Sequence, residues 1–419
     1  MVISQRDLPP LRYYDFKKAY NGYTLFAPLG GRNVWLMDMM GRFVHRWEMP
    51  YTPGIHGRLL PNGNLLYAGK DPNGPVPDFG GSGGFLLEVD WDGNVVWEYA
   101  DPYLSHDFFR MDNGNTMVLK WTPIPEEVAA KIKGGIPGTE RNGVIWSDVL
   151  HEINPKGEVI WEWLAYEHFD PDIDVICPLC IRDRWGQANA CYVMPDGNII
   201  VSYAFMSQIQ IVEKSTGNII WRWGHGDYGE GRRLGFQHNP TFLDNGNILL
   251  FDNGRHRPIA PDYSRVIEIN PKTNEVEWEY KADPPPDFYS AFIGGAQRLP
   301  NGNTLICEGP KGRFFEVTPT CEIVWEYISP FYYRYARFGT TNMTFRAYRY
   351  GPEYPGLKGT GLDDVNLIYG PEAFESISRA MPGLSITEES QQTPGAGGKG
   401  PGTAKKEERL RSRMKGLGY

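Results

Sequence analysis

Cysteine is scarce in this chain, and long apolar runs are missing from it. Its five cysteines among 419 residues are too few and too irregularly spaced for a disulfide-rich secreted domain, so we expect reduced thiols. No apolar stretch reaches the roughly 18 residues that a membrane-spanning helix needs. Residues 1–14 contain Arg6, Pro9 and Pro10 and lack the apolar core of a secretory signal. The sequence therefore predicts a cytoplasmic protein without membrane contact.

An excess of basic charge is also missing. The formal net charge is -9, whereas a general nucleic-acid binder needs basic surface to displace counterions from phosphates. We therefore expect no nucleic-acid partner. The C-terminus differs, because residues 389–419 are rich first in Gly and Pro and then in Lys and Arg. That composition is typical of a flexible basic tail.

Aromatic residues, glycine and proline are plentiful. An aromatic content of 14%, with 49 Gly and 34 Pro, favours short strands joined by tight turns and hence an all-β fold. A turn signature recurs six times, each copy before an apolar run: Asn21-Gly22, Asn62-Gly63, Asn113-Gly114, Asp196-Gly197, Asn245-Gly246 and Asn301-Gly302. Such dipeptides readily supply the two positive φ angles of a type I′ hairpin turn, so each copy should join two antiparallel strands, A and B.

A second signature, a strand that ends in alternating aromatic residues, interleaves with these turns. Its copies, which we assign to strand D, are His45-Arg46-Trp47, Trp97-Glu98-Tyr99, Trp161-Glu162-Trp163, Trp221-Arg222-Trp223, Trp278-Glu279-Tyr280 and Trp325-Glu326-Tyr327. The alternation places both rings on one face, where they pack on the next unit, and an apolar strand C precedes each copy. Six such units predict a six-bladed β-propeller of four-stranded antiparallel blades over residues 1–330, with a C-terminal extension, 331–388, packed on it.

This strand order predicts a site on the propeller axis. His56, His106 and His238 lie six or seven residues before a turn, at the start of the innermost strand A. We therefore expect the three imidazoles to face one another across the channel. The long loops converge on the same rim, and Arg255 on that rim joins the three histidines as a catalytic candidate. The candidates for substrate binding are Arg257, Arg313, Lys70, Lys120, Asn189 and His225.

Histidines ringed by fixed cations are suited to anion chemistry. Guanidinium groups hold sulfate, phosphate or carboxylate oxygens, while imidazole attacks or transfers protons near neutral pH. The expected partner is a small aromatic or anionic substrate. His45 and His151 fall on outer strands and are interpreted as structural.

One long loop contains Cys177-Pro178-Leu179-Cys180, with His168 and Cys191 near it in the sequence. Thiolate and imidazole groups at such spacing can hold zinc. A single Cys-x-x-Cys pair is also compatible with free thiols or a local disulfide. No metal ligand is therefore assigned, and a divalent metal is left open.

The chain resembles the arylsulfate sulfotransferase family of propeller proteins over roughly residues 20–330. The resemblance is carried by three motifs: His106-Asp107 ahead of Met111-Asp112-Asn113-Gly114-Asn115, Gln237-His238 ahead of Asp244-Asn245-Gly246-Asn247, and Asp252-Asn253-Gly254-Arg255. It implies transfer of a sulfuryl group from an aryl sulfate to a phenol, without a required cofactor, through one histidine that accepts the group covalently. By resemblance, His106 and His238 would bind or protonate the ester, and Arg255 or Arg257 would hold its oxygens.

The chain departs from the family pattern in blade six. Where the family's nucleophilic histidine is expected, the sequence has Gly294-Gly295-Ala296-Gln297, so His238 or His106 would replace it. Two alternatives stay open. One is a lyase, hydratase or hydrolase in which His56, His106 and His238 bind a divalent metal or act as acid and base. The other is a binding propeller without catalysis, and an oligomer is compatible with each.

Overall fold

The computed structural model describes residues 8–224, 234–257 and 261–362. The strands in these ranges are, in chain order, β1 (Leu11–Tyr14), β2 (Tyr23–Pro28), β3 (Asn33–Met37), β4 (Phe43–Glu48), β5 (Pro53–Leu59), β6 (Leu65–Lys70), β7 (Gly84–Val89), β8 (Val95–Ala100), β9 (Leu104–Arg110), β10 (Thr116–Pro123), β11 (Gly134–Ile136), β12 (Trp146–Ile153), β13 (Val159–Leu164), β14 (Ile176–Ile181), β15 (Arg184–Trp185), β16 (Ala188–Val193), β17 (Ile199–Tyr203), β18 (Gln208–Val212), β19 (Ile219–Trp223), β20 (His238–Phe242), β21 (Ile248–Asp252), β22 (Arg265–Asn270), β23 (Glu275–Tyr280), β24 (Gly295–Arg298), β25 (Thr304–Glu308), β26 (Arg313–Val317), β27 (Ile323–Ile328), β28 (Tyr333–Tyr335), β29 (Gly339–Thr341) and β30 (Thr344–Tyr350).

Helices are few and short. The α-helices are α1 (Glu126–Ala129) and α2 (Ala165–His168), and single 3-10 turns occur at Ala204–Met206, Pro285–Asp287, Gly309–Lys311 and Pro355–Leu357. Over the described ranges, no helix has the length and apolar character needed to cross a membrane.

The fold is a six-bladed β-propeller, as the repeat predicts. Blades two (β5–β8), four (β16–β19), five (β20–β23) and six (β24–β27) are antiparallel sheets whose strands follow chain order. Blade three consists of β9, β10, β12 and β13, with β15 added beside β12. The predicted strands A to D are therefore found in these five blades.

Blade one differs from the sequence prediction. Its strand order is β30-β2-β3-β4, so the inner strand comes from Thr344–Tyr350, and Asn21-Gly22 does not join two strands of a hairpin. The segment before that turn forms β1, which pairs with β27 at the outer edge of blade six. The sequence predicts residues 344–350 in the extension, yet they lie inside the propeller. The physical reason is that β2 pairs with β3 on one edge, while the strand before it, β1, pairs with β27. The other edge of β2 therefore pairs with a strand from a distant part of the chain.

The turns between strands A and B are tight, but they are not of type I′. In the turns that join strands A and B of blades two to six, the glycine has a positive φ, for example 88° at Gly63, and the Asn or Asp before it does not. Gly63 N donates to Leu60 O, and Leu60 N donates to Asn64 O, which is the pattern of a type I turn followed by a glycine bulge. Asn62 stays at negative φ because its Oδ1 accepts from Asn64 N, at 3.1 Å.

In four blades, the asparagine after the turn glycine bonds to strand C. Asn64 Nδ2 donates to Glu88 at 2.7 Å, and the same bond joins Asn115 to Glu152, Asn247 to Glu268 and Asn303 to Glu316. The four glutamates are buried. These bonds satisfy carboxylates that would otherwise be costly to bury.

The chain divides into two compact units. Unit one contains blades one and two and blade six from Gln297 onward, and unit two contains blades three, four and five together with Asp78–Ser82.

Within each unit, a Trp of strand D donates its indole N–H to a carbonyl of the next blade. The pairs are Trp325 with Met39, Trp47 with Asp90, Trp163 with Gly217 and Trp223 with Asn274. The predicted role of these aromatic residues in blade packing is confirmed for these pairs.

Candidate functional site

His238 is held in one tautomer. It begins β20, is 4% exposed, and its Nδ1 lies 2.7 Å from Asn253 Oδ1 and 2.9 Å from Phe236 O. The orientation of the Asn253 amide is fixed, because its Nδ2 donates to the carbonyls of Ser290 and Ile293. Both atoms facing Nδ1 are therefore acceptors, and Nδ1 carries the proton. In the neutral ring the lone pair then lies on Nε2.

His106 occupies the corresponding place in blade three. It lies on β9 with 4% exposure, its Nδ1 is 3.1 Å from Ser105 Oγ, and its ring meets the edge of Trp121. A Cβ on Gly81 would lie 2.3 Å from the imidazole, so the backbone of this loop rests against the ring. Gly81 also has a φ of 83°, and glycine is required here for both reasons.

His106 and His238, which both lie in unit two, are connected by a continuous series of ring and guanidinium contacts, here termed the aromatic array. Its members are Trp121, Phe79, Arg184, Phe205, Phe236 and Arg255, joined at 5.1, 4.3, 4.9, 5.4 and 4.7 Å. Trp121 contacts the His106 ring, and the carbonyl of Phe236 accepts from His238. Aromatic faces and cations are thus interleaved between the two imidazoles.

Arg184 is the most buried cation of the array. It is 6% exposed and lies between the rings of Phe79 and Phe205. Its Nε donates to Asp183 at 3.1 Å, while Nη1 has no hydrogen-bond partner within the described ranges. Burial lowers the pKa of this guanidinium, and the Asp183 carboxylate opposes the change. A buried N–H donor of this kind fits an oxyanion.

Asp148 lies on β12 near this guanidinium. Burial raises the pKa of its carboxyl from 3.8 to about 7, while nearby backbone N–H groups and the Arg184 charge act in the opposite direction. Neither carboxylate oxygen has a well-formed hydrogen bond to any residue that the structure describes. The group therefore titrates near neutral pH beside a buried cation.

In unit one, His56 is paired with an arginine that the sequence analysis did not identify. His56 is 1% exposed on β5, and its Nε2 lies 3.3 Å from Nη1 of Arg346 on β30. Because guanidinium only donates, Nε2 accepts and the neutral ring carries its proton on Nδ1. The His56 ring also stacks on Phe345. The predicted meeting of His56 with His106 and His238 stays a prediction.

Other predicted substrate-binding residues are engaged in structural contacts. Arg257 donates to Asp252 and to the Tyr263 carbonyl, and Arg313 donates to Glu308 and Glu326. Asn189 is buried on β16 and donates to the carbonyl of Gln237 at 2.7 Å.

Two predicted candidates, Lys70 and Lys120, are not members of the array. Both are half-buried, Lys70 at the end of β6 and Lys120 within β10. His225 lies outside the described residues. A cavity of about 510 Å³ in unit two is lined by Glu127, Lys131, Glu167 and six other residues, and none of the predicted site residues lines it.

Two arginines were missed for identifiable reasons. Arg184 follows Arg182 and Asp183 shortly after the cysteine motif, and this dense alternation of charges is a usable signal. Arg346 lies in Thr-Phe-Arg-Ala-Tyr-Arg-Tyr, residues 344–350, whose alternating pattern is typical of a strand. Assigning that segment to an extension removed it from consideration.

The chain has low sequence identity to the solved structures that it matches. A comparison with curated proteins gives no match. A protein of unknown function from Bacteroides caccae is 15% identical with a TM-score of 0.49, over 78% of this chain and 98% of that one. A streptogramin B lyase is 12% identical with a TM-score of 0.42, over 78% and 84%. The dihydro-heme d1 dehydrogenase NirN is 11% identical with a TM-score of 0.37, over 78% and 58%.

A family model gives the informative comparison. The model described as arylsulfotransferase (ASST) matches residues 56–330, which include His56, His106, His238 and the complete aromatic array. Because the match extends over well more than half of the 419 residues, the chain belongs to the arylsulfotransferase family.

Proposed function

We propose that this protein transfers a sulfuryl group from an aryl sulfate to a phenolic acceptor, with Nε2 of His238 as the nucleophile. The observation that carries the proposal is the fixed tautomer of His238. Nδ1–H donates to Asn253 Oδ1 and the Phe236 carbonyl, which leaves the lone pair on Nε2. Family membership supports the reaction class. The assignment of the nucleophile is consistent with Gly294–Gln297 in the place where the family's histidine is expected.

In the first half-reaction, Nε2 attacks sulfur while the bond between sulfur and the aryl oxygen breaks. The departing phenolate takes a proton from His106, which acts as the general acid. The product is an Nε2-sulfohistidine that retains its proton on Nδ1 and so has imidazolium character. The acceptors Asn253 Oδ1 and Phe236 O stabilise that positive charge.

In the second half-reaction, the acceptor phenol gives its proton to the now neutral His106. The phenol oxygen attacks sulfur, the bond from Nε2 to sulfur breaks, and the lone pair returns to Nε2. Atoms and charges balance over the two steps, since one phenol leaves and another enters with the same proton count. No external cofactor is needed.

The aromatic array would hold both ends of the substrate. Arg184 and Arg255 supply N–H donors to sulfate oxygens, and the rings of Phe79, Phe205 and Phe236 pack against the aryl group. Among the described residues, the array contains Arg184 and Arg255, and Arg141 lies over its Phe79 ring. Arg184 and Arg141 are paired with Asp183 and Asp78. Three guanidinium groups and two carboxylates leave a net positive charge, which favours an anionic ester.

The covalent intermediate provides the direct test. Purified protein is mixed with 4-nitrophenyl sulfate, and nitrophenolate release is followed with and without a phenolic acceptor. We expect a burst of about one equivalent per chain without acceptor, and turnover when acceptor is added. Alkaline quenching and peptide mass analysis should then find one sulfuryl group on the peptide that contains His238.

Two histidine variants separate chemistry from folding. His238→Gln should lose the burst and the labelled peptide, whereas His151→Gln, on strand C of blade three, should keep both. A labelled peptide containing another histidine would refute the assignment of His238. Stoichiometric release of inorganic sulfate in the presence of phenol would favour a hydrolase instead.

The role of Arg184 is tested by Arg184→Met. Loss of its charge-assisted bonds to the ester should lower kcat/KM for the aryl sulfate about 10- to 100-fold. Arg313→Met removes an arginine that is paired with Glu308 and Glu326, and it serves as the matched control. Equal effects of the two substitutions would show that Arg184 has no specific role in binding the ester.

A further inference from the structure

Two neighbouring cysteines of unit two lie beside a histidine that is distant from them in the sequence. Cys177 Sγ lies 3.4 Å and Cys180 Sγ 3.8 Å from Nδ1 of His256. All three atoms lie within 4.8 Å of one another. Both thiols are buried, and His256 is half-buried. His168 and Cys191, the partners that the spacing indicated, are not in this cluster, and the His168 ring stacks on Trp163 instead.

We propose that Cys177, Cys180 and His256 bind a zinc ion, with a water molecule as the fourth ligand. At ordinary zinc bond lengths, a thiolate sulfur and an imidazole nitrogen of one tetrahedral site lie about 3.6 Å apart. The two distances from sulfur to Nδ1 bracket this value. Two thiolates neutralise Zn²⁺, which makes the buried position compatible with the ion.

The backbone is shaped to bring the three ligands together. In a regular strand, residues three apart point to opposite faces, yet Cys177 and Cys180 of β14 are both buried while Leu179 is 59% exposed. The pairing of β14 with β11 contains a register shift, which allows this reversal. His256 adopts a φ of 60°, an uncommon conformation for a non-glycine residue, with its ring against the thiols.

Zinc binding has a consequence for Arg255. The Nε of Arg255 lies 3.2 Å from Nε2 of His256, so in the described state Nε2 accepts and the neutral ring carries its proton on Nδ1. Zinc on Nδ1 displaces that proton and leaves Nε2 protonated. Two donors then face each other, and the guanidinium must turn away. Zinc is therefore coupled to the position of an arginine that stacks on Phe236 in the aromatic array.

Cobalt provides a spectroscopic test on the full chain. Protein stripped of metal and kept reduced under anaerobic conditions is titrated with Co²⁺. We expect one equivalent to produce a thiolate-to-cobalt charge-transfer band and the intense visible bands of tetrahedral coordination. Zinc should then abolish both sets of bands by displacement. Mass spectrometry of protein purified with zinc should find about one ion per chain.

Variants identify the ligands. Cys177→Ser and His256→Asn should lose the tetrahedral spectrum, whereas Cys191→Ala, in the same core cluster, and Cys321→Ser, on the surface, should retain it. Arg255→Met should tighten zinc binding about 10-fold, because it removes a hydrogen bond that favours the metal-free tautomer. Unchanged or weaker affinity in Arg255→Met would disprove the coupling.

A measurement on the wild-type chain covers the case in which a ligand variant fails to fold. Zinc should protect Cys177 and Cys180, but not Cys321, from a thiol-alkylating reagent. The proposal is overturned if reduced wild-type protein shows no cobalt spectrum and no zinc protection. It is also overturned if the two cysteines are joined by a disulfide that anaerobic reduction cannot open.

Discussion

Asn253 determines which nitrogen of His238 can act as a nucleophile. Its amide is oriented by two backbone carbonyls, and its Oδ1 then accepts from Nδ1–H of the histidine. The arrangement resembles the role of the carboxylate in a Ser-His-Asp triad, which selects a tautomer and stabilises the cation that forms. The sequence placed Asn253 within a family motif, but its contact with His238 depends on pairing between β20 and β21, which a linear pattern does not contain.

Asn253→Ala should therefore lower the rate of sulfuryl transfer more than it lowers substrate binding. Without Asn253 Oδ1, the Phe236 carbonyl alone holds the His238 proton on Nδ1, and the sulfoimidazolium loses one of its two stabilising partners. We expect kcat to fall about 100-fold with a small change in KM. Steady-state kinetics with an aryl sulfate measures both constants. Asn154→Ala, at an exposed turn of the same unit, is the control, and equal kcat values for the two variants would argue against the tautomer.

Asp148 should make stability depend on pH near neutrality. Its folded pKa of about 7 exceeds the unfolded value of 3.8, so the folded state holds a proton that the unfolded state releases between these values. Its contribution to stability therefore falls as pH rises from about 4 to about 7, by up to about 4 kcal/mol, and stays low above that range.

The variant Asp148→Asn tests the predicted direction of this pH dependence. The variant should be more stable than the wild type at about pH 8.5, with a smaller difference at about pH 5. Urea unfolding at the two pH values gives the free energies. A difference between the two proteins that does not change with pH would contradict the raised pKa.

At the scale of elements, the sequence predicted the blades well and the turns incompletely. Asn-Gly and Asp-Gly pairs located the connections between strands A and B in five blades, because glycine adopts a positive φ at no steric cost. They did not determine the turn type, since type I′ and the type I turn with a glycine bulge use the same dipeptide. The asparagine after the glycine was not used as a signal, although Asn64 bonds both to the turn and to a buried glutamate.

The bond between the asparagine and the buried glutamate predicts that the same substitution destabilises two blades to different extents. Asn247→Ala in blade five removes donors to Glu268 and Glu277, so we expect a loss of about 1 to 3 kcal/mol in the free energy of unfolding. Asn198→Ala in blade four is the matched control. There Ile211, paired with Ile200, takes the place of the glutamate, and Asn198 Nδ2 donates to Asp196 in the exposed turn. Urea unfolding that gives equal losses for the two variants would contradict a stabilising role for the buried pair.

At the scale of the whole molecule, the number of blades could be predicted from the sequence, but the strand that completes blade one could not. The six sequence repeats predict six blades. The alternation of residues along one segment, however, does not show which distant strand pairs with the open edge of β2. That strand is β30, and Arg349 explains its placement in blade one. The fully buried guanidinium donates to Thr24 in β2 and to Glu316 in β26. Gln297 also bonds to the Arg349 backbone in both directions.

Removing β30 should therefore unfold more than one strand. A chain that ends at Pro330 loses the inner strand of blade one and leaves the buried carboxylate of Glu316 without its guanidinium, a combination that costs several kcal/mol. A chain that ends at Leu362 keeps every contact described for β30 and serves as the control. We expect the shorter chain to be insoluble or to unfold at a much lower temperature, whereas the control should retain the unfolding midpoint of the full chain. Circular dichroism on heating distinguishes the two outcomes. If both truncated chains melt like the full chain, residues 344–350 are dispensable, and the propeller boundary predicted at residue 330 would describe the stable fold better than the strand pairing does.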